Sequence, residues 1–166
     1  MPSADAGRRR SRRKAFELLF ELNQHPGLEH AAALDRTISD PEVSKLYLED
    51  PDEEGFVSGR FNEAAAQFVV QLVNAVKSHE QHIDSELSRY PMDWSYERIG
   101  LPERVILQMA YAEMMYIGTE YRIVINEALE MVKLYGEHDA SRFVNGILGA
   151  MLRRHPELAG PGREDS

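Results

Sequence analysis

Six basic side chains occupy seven consecutive positions near the start of the chain. They are Arg8, Arg9, Arg10, Arg12, Arg13 and Lys14, with Ser11 between them. An arginine side chain presents a planar fork of N–H donors that matches the oxygens of a phosphate group. The segment therefore favours binding to a polyanion such as a nucleic acid. A solvated tail or a targeting segment is the alternative that the same composition allows.

The basic segment belongs to an otherwise acidic chain. The 166 residues include 19 Lys and Arg against 28 Asp and Glu, which gives a net charge of −9. Residues 1–14 contain six of these bases and only one acid, Asp5, so the rest of the chain is strongly negative. This separation of charge cannot result from the bulk composition, and it predicts a separate role for the segment.

Residues that could catalyse a reaction or hold a metal do not form a recognisable pattern. The chain has no Cys, which excludes disulfides, thiolate metal sites and cysteine nucleophiles. No glycine-rich phosphate loop is present. His79 and His82 could lie on one helical face, but the H-E-x-x-H pattern of zinc enzymes is absent, and two exposed histidines are the simpler interpretation. We expect no enzymatic activity, no metal and no cofactor.

Apolar residues recur at helical spacing along most of the chain, and no useful stretch alternates with period two. The pattern predicts an all-α bundle of about seven helices, and the length allows one domain or two small subdomains that share a core. Residues 1–14 are predicted to form a basic, flexible arm, and 156–166 a flexible tail. The predicted helices cover about 8–24, 28–38, 58–80, 80–90, 102–117, 121–135 and 139–154.

Glycine, proline and aspartate mark the expected helix ends. Pro102 fits the first turn of a helix, while Gly118 and Gly136 are predicted helix stops. Asp139 is predicted to be the N-cap of the last helix. Glycine inside that helix, at 146 and 149, predicts close approach of another backbone.

Residues 39–56 are predicted to form a linker. The stretch 49–54 is almost entirely acidic, which is typical of a solvated loop, and shielding of the basic arm is the alternative. No apolar run approaches the length that a membrane-spanning helix needs, and the N-terminal region lacks the apolar core of a secretory signal. The sequence therefore predicts a cytoplasmic protein.

Two blocks of sequence resemble the NusB family of bacterial transcription antitermination factors. The first is RRRSRRKAFELLFEL (8–22), and the second is the stretch 94–148, which contains VINEALEMVKLYG (124–136) followed by DASRFVNGIL (139–148). The resemblance implies an all-helical fold of two packed subdomains, at about 15–90 and 91–155, and no catalysis. It also implies binding to single-stranded boxA RNA of ribosomal RNA transcripts, together with ribosomal protein S-ten (NusE). RNA polymerase and other Nus factors would complete the antitermination complex.

The resemblance also implies roles for individual residues. The RNA-binding set consists of Arg8, Arg9, Arg10, Arg12, Arg13, Lys14, Phe20, Asp139, Arg142 and Phe143. The set that would face the ribosomal protein consists of Glu103, Tyr121 and Glu127. Aromatic rings and phosphate-pairing cations are what single-stranded RNA requires, and an acidic body suits a basic partner. Core packing of Phe20 and Phe143, and a helix-dipole role for Glu103, are the alternatives.

One departure from the family concerns Gln108, which stands where many members have Arg, so that a basic contact is expected to be missing. NusB-like domains also occur in ribosomal-RNA cytosine methyltransferases, but these need a Rossmann-type domain and catalytic cysteines. The remaining alternative is a non-enzymatic interaction module or a homodimeric helical adaptor.

Overall fold

The computed structural model describes residues 4–39, 63–90 and 98–159, and these residues are almost entirely helical. The expected all-α fold is confirmed, and the described residues form the expected seven α-helices. These are α1 (Ala4–Gln24), α2 (His30–Ser39), α3 (Glu63–Ser78), α4 (Glu80–Leu87), α5 (Leu101–Ala112), α6 (Tyr121–Tyr135) and α7 (Ala140–Arg154). The predicted acidic linker lies outside the described residues, except for Ser39 at its start. Trp94 also lies outside them. No helix of the described part is both long enough and apolar enough to cross a bilayer.

The chain divides into two compact units, Met1–Asn74 and Ala75–Ser166. The expected division lies at about residue 90, after α4. The structure instead groups α4 with the helices that follow it. Ile83 and Leu87 of α4 are completely buried, and Gln108 of α5 donates a hydrogen bond of 2.8 Å to Asp84.

The first unit contains α1, α2 and most of α3. Helix α1 buries a broad apolar face, and it ends at Gln24, before Pro26 and Gly27, as the sequence predicts. Its start differs, because the helix begins at Ala4 instead of Arg8 and takes in residues 4–14, the greater part of the expected flexible arm. The buried apolar residues of α1 are Ala15, Phe16, Leu18, Leu19 and Leu22.

The second unit is built around α5. The side chains of this helix are buried without interruption from Val105 to Ala112, which is typical of a central helix surrounded by others. Pro102 lies in its first turn, as predicted. The sequence predicts an α-helix as far as Ile117, but the last turn, Glu113–Ile117, is a π-helix. It stops at Gly118, whose φ of 86° is readily available only to glycine.

The start of α7 follows a tight turn after α6. Asp139 occupies the N-cap position with a left-handed φ of 71°, but its side chain makes no capping hydrogen bond. The predicted close backbone approach at Gly146 is wrong, because an added Cβ would meet nothing within 4 Å, and at Gly149 it would meet only the end of Arg153. The apolar stripe of α7 packs with Val144, Ile147, Leu148 and Met151 buried. Residues 156–159 form a 3-10 turn, although the sequence predicts that this tail is flexible.

Candidate nucleic-acid interface

Helix periodicity separates the six basic residues of α1 into two groups. Arg12 is 2 % exposed, and its neighbour Ser11 is fully buried. Arg9 is exposed, while Arg10, Arg13 and Lys14 are half-buried. We call these last four residues the α1 basic surface. A segment that the sequence treats as one charged run is therefore a helix with an inner and an outer side.

The inner side is organised by Phe68 of α3. The guanidinium carbon of Arg8 lies 4.8 Å from the centroid of this ring, and that of Arg12 lies 5.5 Å from it. Both distances fit cation–π contacts, and Phe68 is itself 3 % exposed. The sequence predicts that Arg12 binds RNA, but a side chain so deeply buried cannot contact a ligand in this conformation. The structure assigns it to the core of the first unit.

The outer side combines charge with one aromatic ring. Lys14 forms an ion pair of 3.2 Å with Glu17, one turn further along the helix. Phe20 is half-buried, and its ring centroid lies 5.9 Å from that of the buried Phe16. Arg9, Arg13 and Phe20 follow one another at spacings of four and seven residues, which places them on one stripe of α1. This stripe presents cationic groups and part of an aromatic face to solvent.

Asp139, Arg142 and Phe143 lie together at the start of α7, in the second unit. The carboxylate of Asp139 is 85 % exposed and lies 3.7 Å from the imidazole of His138. Arg142 is exposed, and Phe143 is half-buried. The following Asn145 and Gly146 are also exposed. The first turns of α7 therefore offer a cation, a partly exposed ring and an open backbone surface.

The three residues predicted to face a protein partner have different surroundings. Tyr121 is half-exposed, and Arg122 donates a hydrogen bond of 3.3 Å to its hydroxyl oxygen. Glu103 and Glu127 are 2 % and 4 % exposed, so neither carboxylate forms part of the surface. The residue type does not indicate this, because glutamate is buried only rarely. The glycines at 100 and 136, which flank Glu103 in space, are a signal that could have pointed to its burial.

The side chain of Gln108 is enclosed within the second unit. It is 3 % exposed, and its amide group donates a hydrogen bond to Asp84. The expected loss of a basic contact at this position stays a prediction.

The two histidines at helical spacing pack against tyrosines. The ring of His79 stacks on Tyr116 with 3.9 Å between centroids, and His82 lies edge-on to Tyr111 at 6.2 Å. Burial raises the pKa of Tyr111 from its ordinary 10 to about 12, with smaller contributions from Tyr116 and Glu86. Among the described residues, no three metal-ligating side chains come together.

The protein is all-helical in the part that the structure describes, and it divides into two compact units. The basic outer side of α1 makes it suited to binding a polyanion. The chain belongs to the NusB family, whose model matches residues 9–153. The transcription antitermination protein NusB of Levilactobacillus brevis is 31 % identical over 147 residues, which cover 87 % of this chain and 92 % of that protein.

Two solved structures share the fold. NusB of T. maritima matches with a TM-score of 0.70 and 23 % identity, over 92 % of this chain and 93 % of that one. A chain in the crystal structure described as that of a plectonemic RNA supercoil matches with a TM-score of 0.69 and 25 % identity. That match covers 90 % of this chain and 96 % of the other.

Proposed function

We propose that this protein is an RNA-binding transcription antitermination factor of the cytoplasm. It binds single-stranded boxA RNA in ribosomal RNA transcripts together with ribosomal protein S-ten (NusE), and it acts by binding, without a catalytic step. Within a complex of RNA polymerase and other Nus factors, it reduces premature termination. Membership of the NusB family and the names of its relatives support this function.

The observation that carries the proposal is the α1 basic surface. Four cationic side chains on an ordered helix can pair with successive phosphates, and the partly exposed ring of Phe20 on the same helix can stack on a base. In the second unit, Arg142 and Phe143 supply the same two chemical groups. Arg12 has no part in this binding, because its guanidinium packs on Phe68.

Tyr121 is the residue that we propose for contact with the ribosomal protein. Its ring is accessible at the start of α6, whereas Glu103 and Glu127 are enclosed. A tyrosine with an apolar face and a polar end suits a protein interface. The acidic character of the chain outside residues 1–14 would favour association with a basic protein.

Fluorescence anisotropy with a labelled boxA RNA tests the function. Binding should prefer boxA over a scrambled strand, should tighten when ribosomal protein S-ten is present, and should weaken as salt rises. Replacing Arg9 and Arg13 by Ala should reduce the salt slope by about 0.7 for each phosphate that the protein no longer neutralises. Binding that shows no preference for boxA and does not change when the ribosomal protein is added would contradict the proposal.

A matched control changes the net charge equally at other sites. Arg36 of α2 and Lys133 of α6 are exposed and form ion pairs with Glu21 and Glu130. The Arg36→Ala, Lys133→Ala variant should bind RNA with the natural salt slope. A reduced slope in this control would mean that overall charge, and not the α1 basic surface, determines binding. Sedimentation of the free protein would detect the homodimer that the alternative, a helical adaptor, requires.

A further inference from the structure

The carboxylate of Glu103 joins the start of α5 to the turn between α6 and α7. Its Oε1 accepts a hydrogen bond of 2.6 Å from the backbone N–H of Glu137. The side chain is 2 % exposed, so the bond is shielded from water. A charged acceptor strengthens a hydrogen bond, and burial makes its loss costly.

The position of Glu103 in α5 would ordinarily give it another partner. Gly100 is the N-cap of this helix, so Glu103 is its third helical residue. A glutamate in that position commonly bonds back to the N-cap backbone N–H, in the arrangement called a capping box. Here Oε1 bonds instead to a backbone amide 34 residues further along the chain. The side chain therefore connects distant segments instead of closing its own helix.

Two glycines make room for this carboxylate. A Cβ added to Gly100 would lie 2.5 Å from Oε2 of Glu103. A Cβ added to Gly136 would lie 3.0 Å from Oε1 and 2.8 Å from the carbonyl oxygen of Val132. Any larger residue at either position would displace the carboxylate or the backbone. Glu103, Gly100 and Gly136 thus form one fitted contact.

The hydrogen bonds of the turn continue from this contact into α7. The N–H of Gly136 donates to Val132 and closes α6, and the next N–H, that of Glu137, donates to Glu103. The carbonyl oxygen of Glu137 then accepts from the N–H of Ala140 at 3.1 Å, at the first residue of α7. Only Asp139, with its left-handed backbone, and His138 lie between them. Glu137 is therefore held on one side by α5 and on the other by α7.

We propose that Glu103 is a positioning residue that fixes the α6–α7 turn, so that Arg142 and Phe143 are presented for RNA. This inference rests on the proposed RNA-binding function of the α7 residues. Glu103 acts through the backbone of Glu137 and touches no ligand itself. Its substitution should therefore weaken RNA binding although every cationic side chain is still present.

The first test follows the backbone amide of Glu137 by NMR hydrogen exchange, without RNA. In Glu103→Ala this amide should exchange at least about tenfold faster, because its acceptor is gone, while amides inside α7 change only as far as overall stability does. Glu103→Gln keeps an acceptor oxygen and should restore most of the protection. Gly136→Ala disturbs the same contact from the other side and should also accelerate exchange at Glu137. Unchanged exchange at Glu137 in both Glu103→Ala and Gly136→Ala would overturn the inference.

The second test is a double-mutant cycle on RNA affinity, which a purely structural role would not affect. Glu103→Ala should weaken boxA binding by about tenfold. When Phe143 and Arg142 are already Ala, removing Glu103 should cause little further weakening, because the residues that it positions are absent. Full additivity would overturn the inference. If the natural protein does not prefer boxA RNA, the proposed function fails. If it does prefer boxA RNA but the effects of the substitutions are additive, only the inference about Glu103 fails.

Discussion

The guanidinium group of Arg12 lies on the ring of Phe68, with 5.5 Å between the guanidinium carbon and the ring centroid, and both side chains are almost completely buried. An arginine within a run of six bases is thus a core residue of the first unit. The contact joins α1 to α3 and gives the basic segment a fixed inner side.

Arg12→Ala should therefore reduce stability, whereas Arg9→Ala should not. Removal of the desolvated cation–π interaction and of the packed side-chain stem should cost about 2 kcal/mol. Arg9 is exposed, so its replacement should change the free energy of unfolding by less than about 0.5 kcal/mol. Urea unfolding of the two variants measures both values. Equal effects would contradict the division of α1 into an inner and an outer side.

Phe16 and Phe20 should separate packing from RNA binding. Phe16 is 4 % exposed, and its replacement by Ala should cost about 3–5 kcal/mol of stability. Phe20 is half-buried, so Phe20→Ala should cost less stability but weaken RNA binding by about 1–3 kcal/mol. Urea unfolding and anisotropy on the same samples provide the comparison. If Phe20→Ala binds RNA as tightly as the natural protein does, this ring is not part of the proposed interface.

Stability should fall at high pH because of Tyr111. Its pKa is raised to about 12 by burial, whereas a tyrosine of the unfolded chain ionises near pH 10. Between these values the unfolded state has released a proton that the folded state retains, so stability declines as pH rises from about 10 towards 12. Below pH 10 this residue adds no pH dependence.

Urea unfolding across that range, with Tyr111→Phe as the comparison, measures the effect. The phenylalanine variant should show a shallower decline. Burial also raises the pKa values of Tyr90 and Tyr116, so part of the decline should remain. Identical slopes in the variant and the natural protein would exclude Tyr111 as a source.

Alanine should have opposite effects at two glycines. Gly118 ends the π-turn with a φ of 86°, where a Cβ costs about 1–2 kcal/mol, so Gly118→Ala should destabilise the protein. Gly146 lies inside α7, and a Cβ there would meet nothing within 4 Å, so Gly146→Ala should stabilise it by up to about 1 kcal/mol. The urea concentration at the midpoint of unfolding measures both effects, provided that the m-value is the same in each variant. A destabilised Gly146→Ala would indicate a close neighbour at that position after all.

The helices could be predicted from the sequence because their apolar residues repeat with the helical period over long stretches. Pro26, Gly118 and Gly136 mark helix ends correctly, because proline cannot continue a helix and glycine readily leaves the helical conformation. The π-turn at Glu113–Ile117 could not be predicted, because it is the last turn before Gly118 and no helical residues follow it that would reveal a shift in the apolar pattern. The compact units divide the chain after Asn74 and not at about residue 90, and α4 belongs with the helices that follow it, whose Gln108 bonds to Asp84.

The candidate site was less predictable because residue type is a poor guide to burial for charged groups. Arg12 and Glu103 belong to types that are exposed in most proteins, and their partners, Phe68 and the amide of Glu137, are 56 and 34 residues away. Gly146 shows the reverse case, since glycine inside a helix suggests tight packing and the structure leaves it open. For Arg12 and Glu103 the decisive contact is a long-range one.

The helical form of residues 8–14 has a consequence for the thermodynamics of recognition. A disordered arm would lose backbone entropy on meeting RNA, and part of the interaction energy would be spent on ordering it. In this protein the segment is already helical and is held at Arg12, so the ordering precedes RNA binding. The heat-capacity change of association should then correspond to the contact area alone, with no contribution from a coil-to-helix transition.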